Sequence, residues 1–132
     1  MSLTIDENAE HYSTLDGVLY TKGLTDLVHY PKNKQGSSYT IPDETKVIRA
    51  NAFKNILVLR TLIIPSNVEI IGENAFSDSS IIRFMFESET PPIVTGHNLF
   101  DSDKTNIEII VPVGAVDAYR KVNAFAYLNV KE

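Results

Sequence analysis

A solenoid of stacked repeats is the fold class this sequence predicts, and three observations predict it. Asn51-Ala52-Phe53 returns as Asn74-Ala75-Phe76, a spacing of 23 residues. Ile41-Pro42 returns as Ile64-Pro65, and Val47-Ile48 as Ile70-Ile71, at the same spacing of 23. A constant period of this size marks units that bury their apolar faces only against neighbouring units. The functional question therefore turns to a surface rather than to a catalytic cleft.

The chain opens with a hairpin signal. Leu15-Asp16-Gly17-Val18-Leu19-Tyr20 joins a turn dipeptide to a β-prone run, Thr21 to Thr25 reverses the chain, and Asp26 to Tyr30 returns until Pro31 ends it. Lys32 to Ser38 is polar and contains a glycine, so it is a loop. The repeats follow, and the second shows the pattern best: Leu59, Leu62, Ile64-Pro65, Val68, Ile71-Gly72 and Asn74-Ala75-Phe76. Leu62 and Ile64 share one face of a short strand and Ile63 takes the other, while Pro65 stops the ladder. Gly72 suits a tight corner, Ala75 lets neighbouring backbones approach, and Phe53 is expected to stack on Phe76.

A third unit is degenerate. Ile82, Met85 and Leu99-Phe100 are read as keeping its apolar positions, yet Phe100 lies 24 residues after Phe76. Ile107 to Val111 is the fourth strand, closed by Pro112, which stands 47 residues after Pro65, or two periods plus one. Ala115, Ala118, Tyr119 and Val122 have helical spacing, and Phe125 with Leu128 forms a terminal apolar pair. The last coil of a solenoid exposes its core, so this final helix reads as a cap. The boundaries are 1–38 for an N-terminal hairpin cap, 39–111 for the repeats and 112–132 for a C-terminal cap, all in one domain.

Composition limits the function. The 132 residues are 43% hydrophobic and 22% charged, as in ordinary globular domains. A net charge of −5 argues against nucleic acid, which needs clustered Lys and Arg. Lys22, Lys32 and Lys34 read as solvated loop charges. The absence of cysteine excludes disulfides, Cys-based zinc sites and thiol catalysis. No run approaches the ~20 apolar residues of a membrane helix. Met1 to Asp6 is neither basic nor apolar enough for a signal peptide, as in a fragment without its leader or in a complete cytosolic chain.

Leu59 to Phe76 resembles, nearly position by position, the pattern L-x-x-I-x-I-P-x-x-V-x-x-I-G-x-x-A-F of the BspA-like leucine-rich repeat. Ile41-Pro42 to Phe53 matches it too, with Arg49 in place of the glycine. Tyr12 to Tyr20 looks like the Y-x-x-x-D-G-V-L-Y hairpin that precedes such repeats. Thr90-Pro91-Pro92 and Val111-Pro112 through Tyr119 resemble the closing segment of surface proteins in this family, with Phe125 where tryptophan is usual. The cysteine often found three residues after A-F is replaced by Ile56 and Ser79. The resemblance implies an α/β repeat in the form of a short right-handed leucine-rich-repeat solenoid. It also implies a bacterial extracellular or cell-surface protein, here a fragment, without cofactor or catalytic residues, adhering to host or matrix proteins or to other cell-surface proteins.

Aligning the strands on their prolines, and the third by the 23-residue shift, gives the candidate binding face. Thr40, Ile63, Phe86 and Ile110 form one outward row, and Ser38, Thr61, Phe84 and Glu108 a second. An apolar patch of Ile63, Phe84, Phe86 and Ile110 marks an interaction site if it faces solvent. Two other readings stay open: flanking chain or a second copy covers it, or a register error of one residue exchanges core and surface. Tyr12, Tyr20, Tyr30 and Tyr39 either stack on a glycan or seal the first coil, and sealing is the commoner use. Asp101 to Asn106 imitates the start of a calcium loop but has Asn106 for the sixth-place glycine and Pro112 for the twelfth-place glutamate. His11, His29 and His97 have no metal-binding spacing. No nucleophile elbow or phosphate loop is present, so an enzyme is not expected.

Overall fold

The structure is a computed structural model that describes residues 12–95, 99–100, 106–126 and 128–132. Its first element is an antiparallel meander of β1 (Tyr12–Leu15), β2 (Val18–Thr21) and β3 (Asp26–His29). Leu15 faces Val18, so Asp16-Gly17 is a two-residue turn, and both residues have positive φ, 53° and 85°. That is the turn whose backbone twist matches its flanking strands, and Asp-Gly is among its preferred sequences.

From β3 onward every strand pairing is parallel. The strands β5 (Val47–Ile48), β7 (Ile70–Ile71) and β9 (Ile93–Val94) extend the meander into a six-stranded sheet of order β1-β2-β3-β5-β7-β9. A second sheet holds β4 (Ser38–Thr40), β6 (Thr61–Ile64), β8 (Arg83–Phe86), β10 (Glu108–Ile110) and β11 (Asn129–Lys131), in the order β11-β10-β8-β6-β4. Each repeat therefore spends one short strand in each sheet. The repeat pattern read alone suggests one narrow parallel sheet opposed by loops and short helical turns, and the two sheets correct that expectation. The two-residue strands at Val47-Ile48 and Ile70-Ile71 are too short to be read as strands singly, though they recur with the period.

The α/β label is corrected as well. The repeats are strands and turns, and α1 (Val116–Arg120) is the α-helix among the described residues. The result is a β-solenoid of stacked coils with little helix.

Turns join the two sheets, and they too are stacked by hydrogen bonds. The Tyr30, Phe53 and Phe76 N–H groups donate to Ala52, Ala75 and Leu99 carbonyls of the next coil at 2.9, 2.8 and 3.3 Å. The turn requires left-handed backbone at fixed places. Asn51 and Asn74 have φ of 63° and 59°, and Asn55 and Asp78 have 65° and 54°. Asn and Asp enter this region most readily after glycine, which explains the recurring Asn of Asn-Ala-Phe.

The core is an aromatic column along the stacking direction. Ring centroids of Tyr30 and Phe53 are 5.2 Å apart, Phe53 and Phe76 5.7 Å, Phe76 and Phe100 5.9 Å, and Phe100 and Phe125 6.2 Å. Phe53 and Phe76 meet at 44°, a tilted contact rather than a parallel stack. Phe125, after α1, is fully buried and adds Phe86 and Tyr119 at 5.4 and 6.0 Å. Ile56 and Ser79 are both buried at equivalent corners, where Ser79 Oγ donates to the Phe76 carbonyl at 2.8 Å.

Gly72 serves close approach rather than an unusual turn. A Cβ there would lie 2.4 Å from the Ala50 nitrogen of the preceding coil. Arg49 occupies the matching place one coil earlier, where its Nε meets Asp26 Oδ2 at 2.9 Å.

Two outcomes follow from this packing. Phe53→Ala removes a fully buried ring of the column and lowers unfolding free energy by about 3–5 kcal/mol, measured by chemical denaturation. Gly72→Ala, although smaller, forces the coils apart and destabilises by about 3 kcal/mol; an unchanged denaturation midpoint would contradict the packed-backbone account.

Candidate functional site

The outward side of the second sheet is a regular surface of five parallel-paired strands. Strand pairing places Ser38, Thr61, Arg83, Glu108 and Asn129 in one row and Thr40, Ile63, Met85, Ile110 and Lys131 in the next. Alternation does the sorting: Leu62, Ile64, Phe84, Phe86, Ile109 and Val130 point inward and are buried.

Thr40, Thr61, Ile63, Glu108 and Ile110 stand in the expected outward rows. Phe84 and Phe86 do not, and this corrects the expected face. They are 0% and 4% exposed, and Arg83 and Met85 take the outward places. Met85, read earlier as an apolar core position, is 36% exposed.

The physical reason is a one-residue slip in the third coil. Ile56 and Ser79 are equivalent corners 23 residues apart, but Thr61 pairs with Arg83, only 22 residues on. Ser79-Ser80-Ile81 thus spans what Ile56 to Leu59 spans with one residue more. The segment from Glu87 to Pro92 restores the residue, because Ile70 pairs with Ile93 at 23 again. Glu87 sits where Pro65 would recur, so no proline anchors the alignment. That absent proline and the extra residue at Thr90-Pro91-Pro92 are the signals that could have shown the slip. Asn129 and Lys131 also escaped notice, because β11 is a three-residue strand outside the period.

The face combines an apolar strip with a charged flank. Ile63, Met85 and Ile110 lie side by side across three strands. Next to them Glu108 receives Arg83 Nε on Oε2 at 3.1 Å and Lys131 Nζ on Oε1 at 3.2 Å. The Lys131 and Arg83 hydrogen bonds hold the Glu108 carboxyl below the usual carboxylate range.

A second surface was not foreseen. On the first sheet Ile70 and Ile93 are paired neighbours, 36% and 66% exposed. They border a groove of about 390 Å³ formed with Val68, Ser88, Pro91 and Pro92.

The tyrosines divide by place. Tyr20 and Tyr30 are buried and Tyr39 half-buried; the Tyr20 and Tyr39 hydroxyls hydrogen-bond, and the Tyr30 ring meets Tyr39 edge-on at 5.2 Å. Lys34 Nζ lies 5.9 Å above the Tyr39 ring and donates to the Asp16 carbonyl. Three of the four thus pack as part of the first coil, whereas Tyr12 stands exposed on β1. Burial raises the Tyr20, Tyr39 and Tyr119 pKa values and pushes Tyr30 up to about 12.

His29 is half-buried on β3, and no group of three metal-binding side chains occurs among the described residues. His11, His97 and the Asp101-Ser102-Asp103 segment lie outside the described residues. No described helix is long and apolar enough to cross a membrane.

Residues 30–132 match a family described as a BspA type leucine rich repeat region, in 6 copies. Three solved structures share the fold. A leucine rich cell surface protein from Faecalibacterium prausnitzii is 21% identical with a TM-score of 0.61, covering 95% of this chain and 40% of its own. The pneumococcal vaccine antigen PcpA is 16% identical with a TM-score of 0.53, covering 96% and 48%. A leucine-rich repeat protein from Eubacterium ventriosum is 21% identical with a TM-score of 0.50, covering 96% and 41%. The chain thus spans less than half the length of each. A search of curated proteins finds no match.

The tyrosine cluster sets the alkaline limit. A tyrosine whose pKa is raised by folding favours the folded state while neutral. That stability is intact below pH ~10, the ordinary tyrosine value. It declines as pH rises from there through the folded pKa, about 12 for Tyr30. Thermal melts at stepped pH should therefore fall only above pH ~10, together with a delayed tyrosinate absorbance change.

Proposed function

Because the chain belongs to the BspA-type leucine-rich repeat family, we propose that it is a non-enzymatic binding module displayed outside a bacterium. Its contact surface is the outward face of the second sheet. The observation that carries this reading is the in-register strip of Ile63, Met85 and Ile110 beside Arg83, Glu108 and Lys131. Partly exposed apolar side chains with a polar flank on a stiff sheet match the anatomy of a protein-contact surface. The proposed partners are host or matrix proteins or other cell-surface proteins. A glycan has weaker support, since three of the four clustered tyrosines are packed into the fold. The structural relative from Faecalibacterium prausnitzii is itself a leucine rich cell surface protein, which supports the same compartment for this chain.

In this reading the solenoid is right-handed, residues 1–38 and 112–132 cap its ends, and 39–111 are the repeats. A second reading has its own support: the chain covers only 40–48% of the relatives' lengths. Under it, this segment is a structural C-terminal piece that caps or presents a larger solenoid and binds nothing by itself.

Biolayer binding of the purified chain to a panel of matrix proteins and glycans separates the two. Ile63→Asp/Met85→Asp should remove at least about tenfold in affinity while circular dichroism stays that of the wild type. Undiminished binding by that folded variant would remove the sheet face from consideration. No binding by the wild type would favour the supporting role.

A further inference from the structure

Two neighbouring turns lead from the second sheet to the first, residues 65–69 in one coil and 87–92 in the next. They are tied at both ends: the Glu87 N–H donates to the Ile64 carbonyl at 3.0 Å and the Ile93 N–H to the Glu69 carbonyl at 2.7 Å. Between these ties residues 88–92 run beside residues 65–68, five against four. The surplus residue bows the later turn away from the earlier one. Among the described residues no hydrogen bond joins 65–68 to 88–92, whereas one coil earlier Asn67 Nδ2 donates to the Asp43 carbonyl at 2.6 Å. The gap is the groove of about 390 Å³ beside Ile70 and Ile93. Its base is Val68 and Pro92, both buried, and Ile93 stands at its rim, 66% exposed. The bowed turn is held in place, because Tyr119 Oη on α1 donates to the Ser88 carbonyl at 2.7 Å and Pro91 and Pro92 fix their own φ.

The charge around the groove is mostly negative. Glu69 lines it, and Glu87 and Glu89 stand exposed in the bowed turn. None of the three enters an ion pair among the described residues. Asp43 and Glu44 occupy the turn one coil earlier, where Lys46 is the one cation of the three turns.

We propose that this groove is a docking site for an extended, cationic segment of a partner protein. One apolar side chain of that segment lies over Val68 beside Ile70 and Ile93, and the lysines or arginines flanking it meet Glu69 and Glu89. Burial of the apolar side chain supplies attraction, while the carboxylates select the partner by sign and speed its encounter. An acidic peptide or a fatty acid brings a charge that the rim repels. So does a second copy of this chain, with its net charge of −5. The volume lies near the low end of the ~300–1,000 Å³ of ligand pockets, which suits a single side chain and its neighbours rather than a folded surface. The site is separate from the outward face of the second sheet and does not depend on binding there.

Amide chemical shifts of the isotope-labelled full chain, titrated at low ionic strength, test this. The probe is a capped peptide with a central leucine between pairs of lysines. Shifts should move together at Val68, Ile70, Ser88 and Ile93 and stay still at Thr61 and Met85 on the second sheet. Exchanging the peptide's leucine for serine, or its lysines for glutamates, should weaken binding about tenfold. Glu69→Gln/Glu89→Gln should weaken it about fivefold and remove most of the salt dependence. Ile93→Ser, at an exposed position, should erase the preference for leucine over serine. Ile63→Asp/Met85→Asp should leave the titration unchanged, so failure of the sheet-face reading does not carry over to this one. The proposal is overturned if no shift moves, if the shifts map to the second sheet or spread over the surface, or if the leucine and serine peptides bind alike. Wild-type affinity in the Glu69→Gln/Glu89→Gln variant would overturn it as well.

Discussion

Everything in this fold depends on parallel backbone pairing between coils. One turn of chain has neither a closed core nor a satisfied edge. Its strands find partners in two sheets and its turns find partners at the Phe53 and Phe76 corners. Buried amides and carbonyls are costly when unpaired, so the coils must hold a constant spacing along all of these ladders at once. The aromatic column fills the space left between the sheets, with successive rings 5.2 to 6.2 Å apart from Tyr30 to Phe125. Gly72 belongs to the same constraint, since a methyl group there would meet the backbone of the preceding coil.

Constant spacing makes surface rows regular. Inward positions take large apolar residues, and outward positions remain at liberty to vary, as the sequence Thr40, Ile63, Met85, Ile110 and Lys131 illustrates. The proposed contact face is therefore a by-product of core alternation. Its chemistry changes row by row without disturbing the column beneath it, which is how one scaffold can present different partners with different surfaces.

Much of this was legible before the structure. The recurrence of Asn-Ala-Phe located the corners and the column, Asp16-Gly17 located the first turn, and the helical spacing of Ala115, Ala118 and Tyr119 located α1. Two features escaped for physical reasons. The strands of the first sheet are two residues long, below the length at which alternation can be seen, so their pairing is a tertiary fact. In the third coil no proline marks the strand end, and a shift of one residue exchanges the two faces. The slipped register therefore puts Phe84 and Phe86 outward when they are core, puts Met85 inward when it is exposed, and leaves Arg83 unnoticed. Of the seven residues expected at the face, five stand there.

The shortened corner at Ser79-Ser80-Ile81 and the lengthened turn at Thr90-Pro91-Pro92 behave like a pair of suppressing frameshifts. Either change alone would put the two sheets out of phase from that coil onward. Together they bring Ile93 back beside Ile70 at a spacing of 23, so the first sheet keeps its phase through this coil. A lineage can therefore change the length of such a repeat only by passing through a strained intermediate or by acquiring both changes together. Length variation in this solenoid should then appear as linked pairs within a coil, not as isolated insertions.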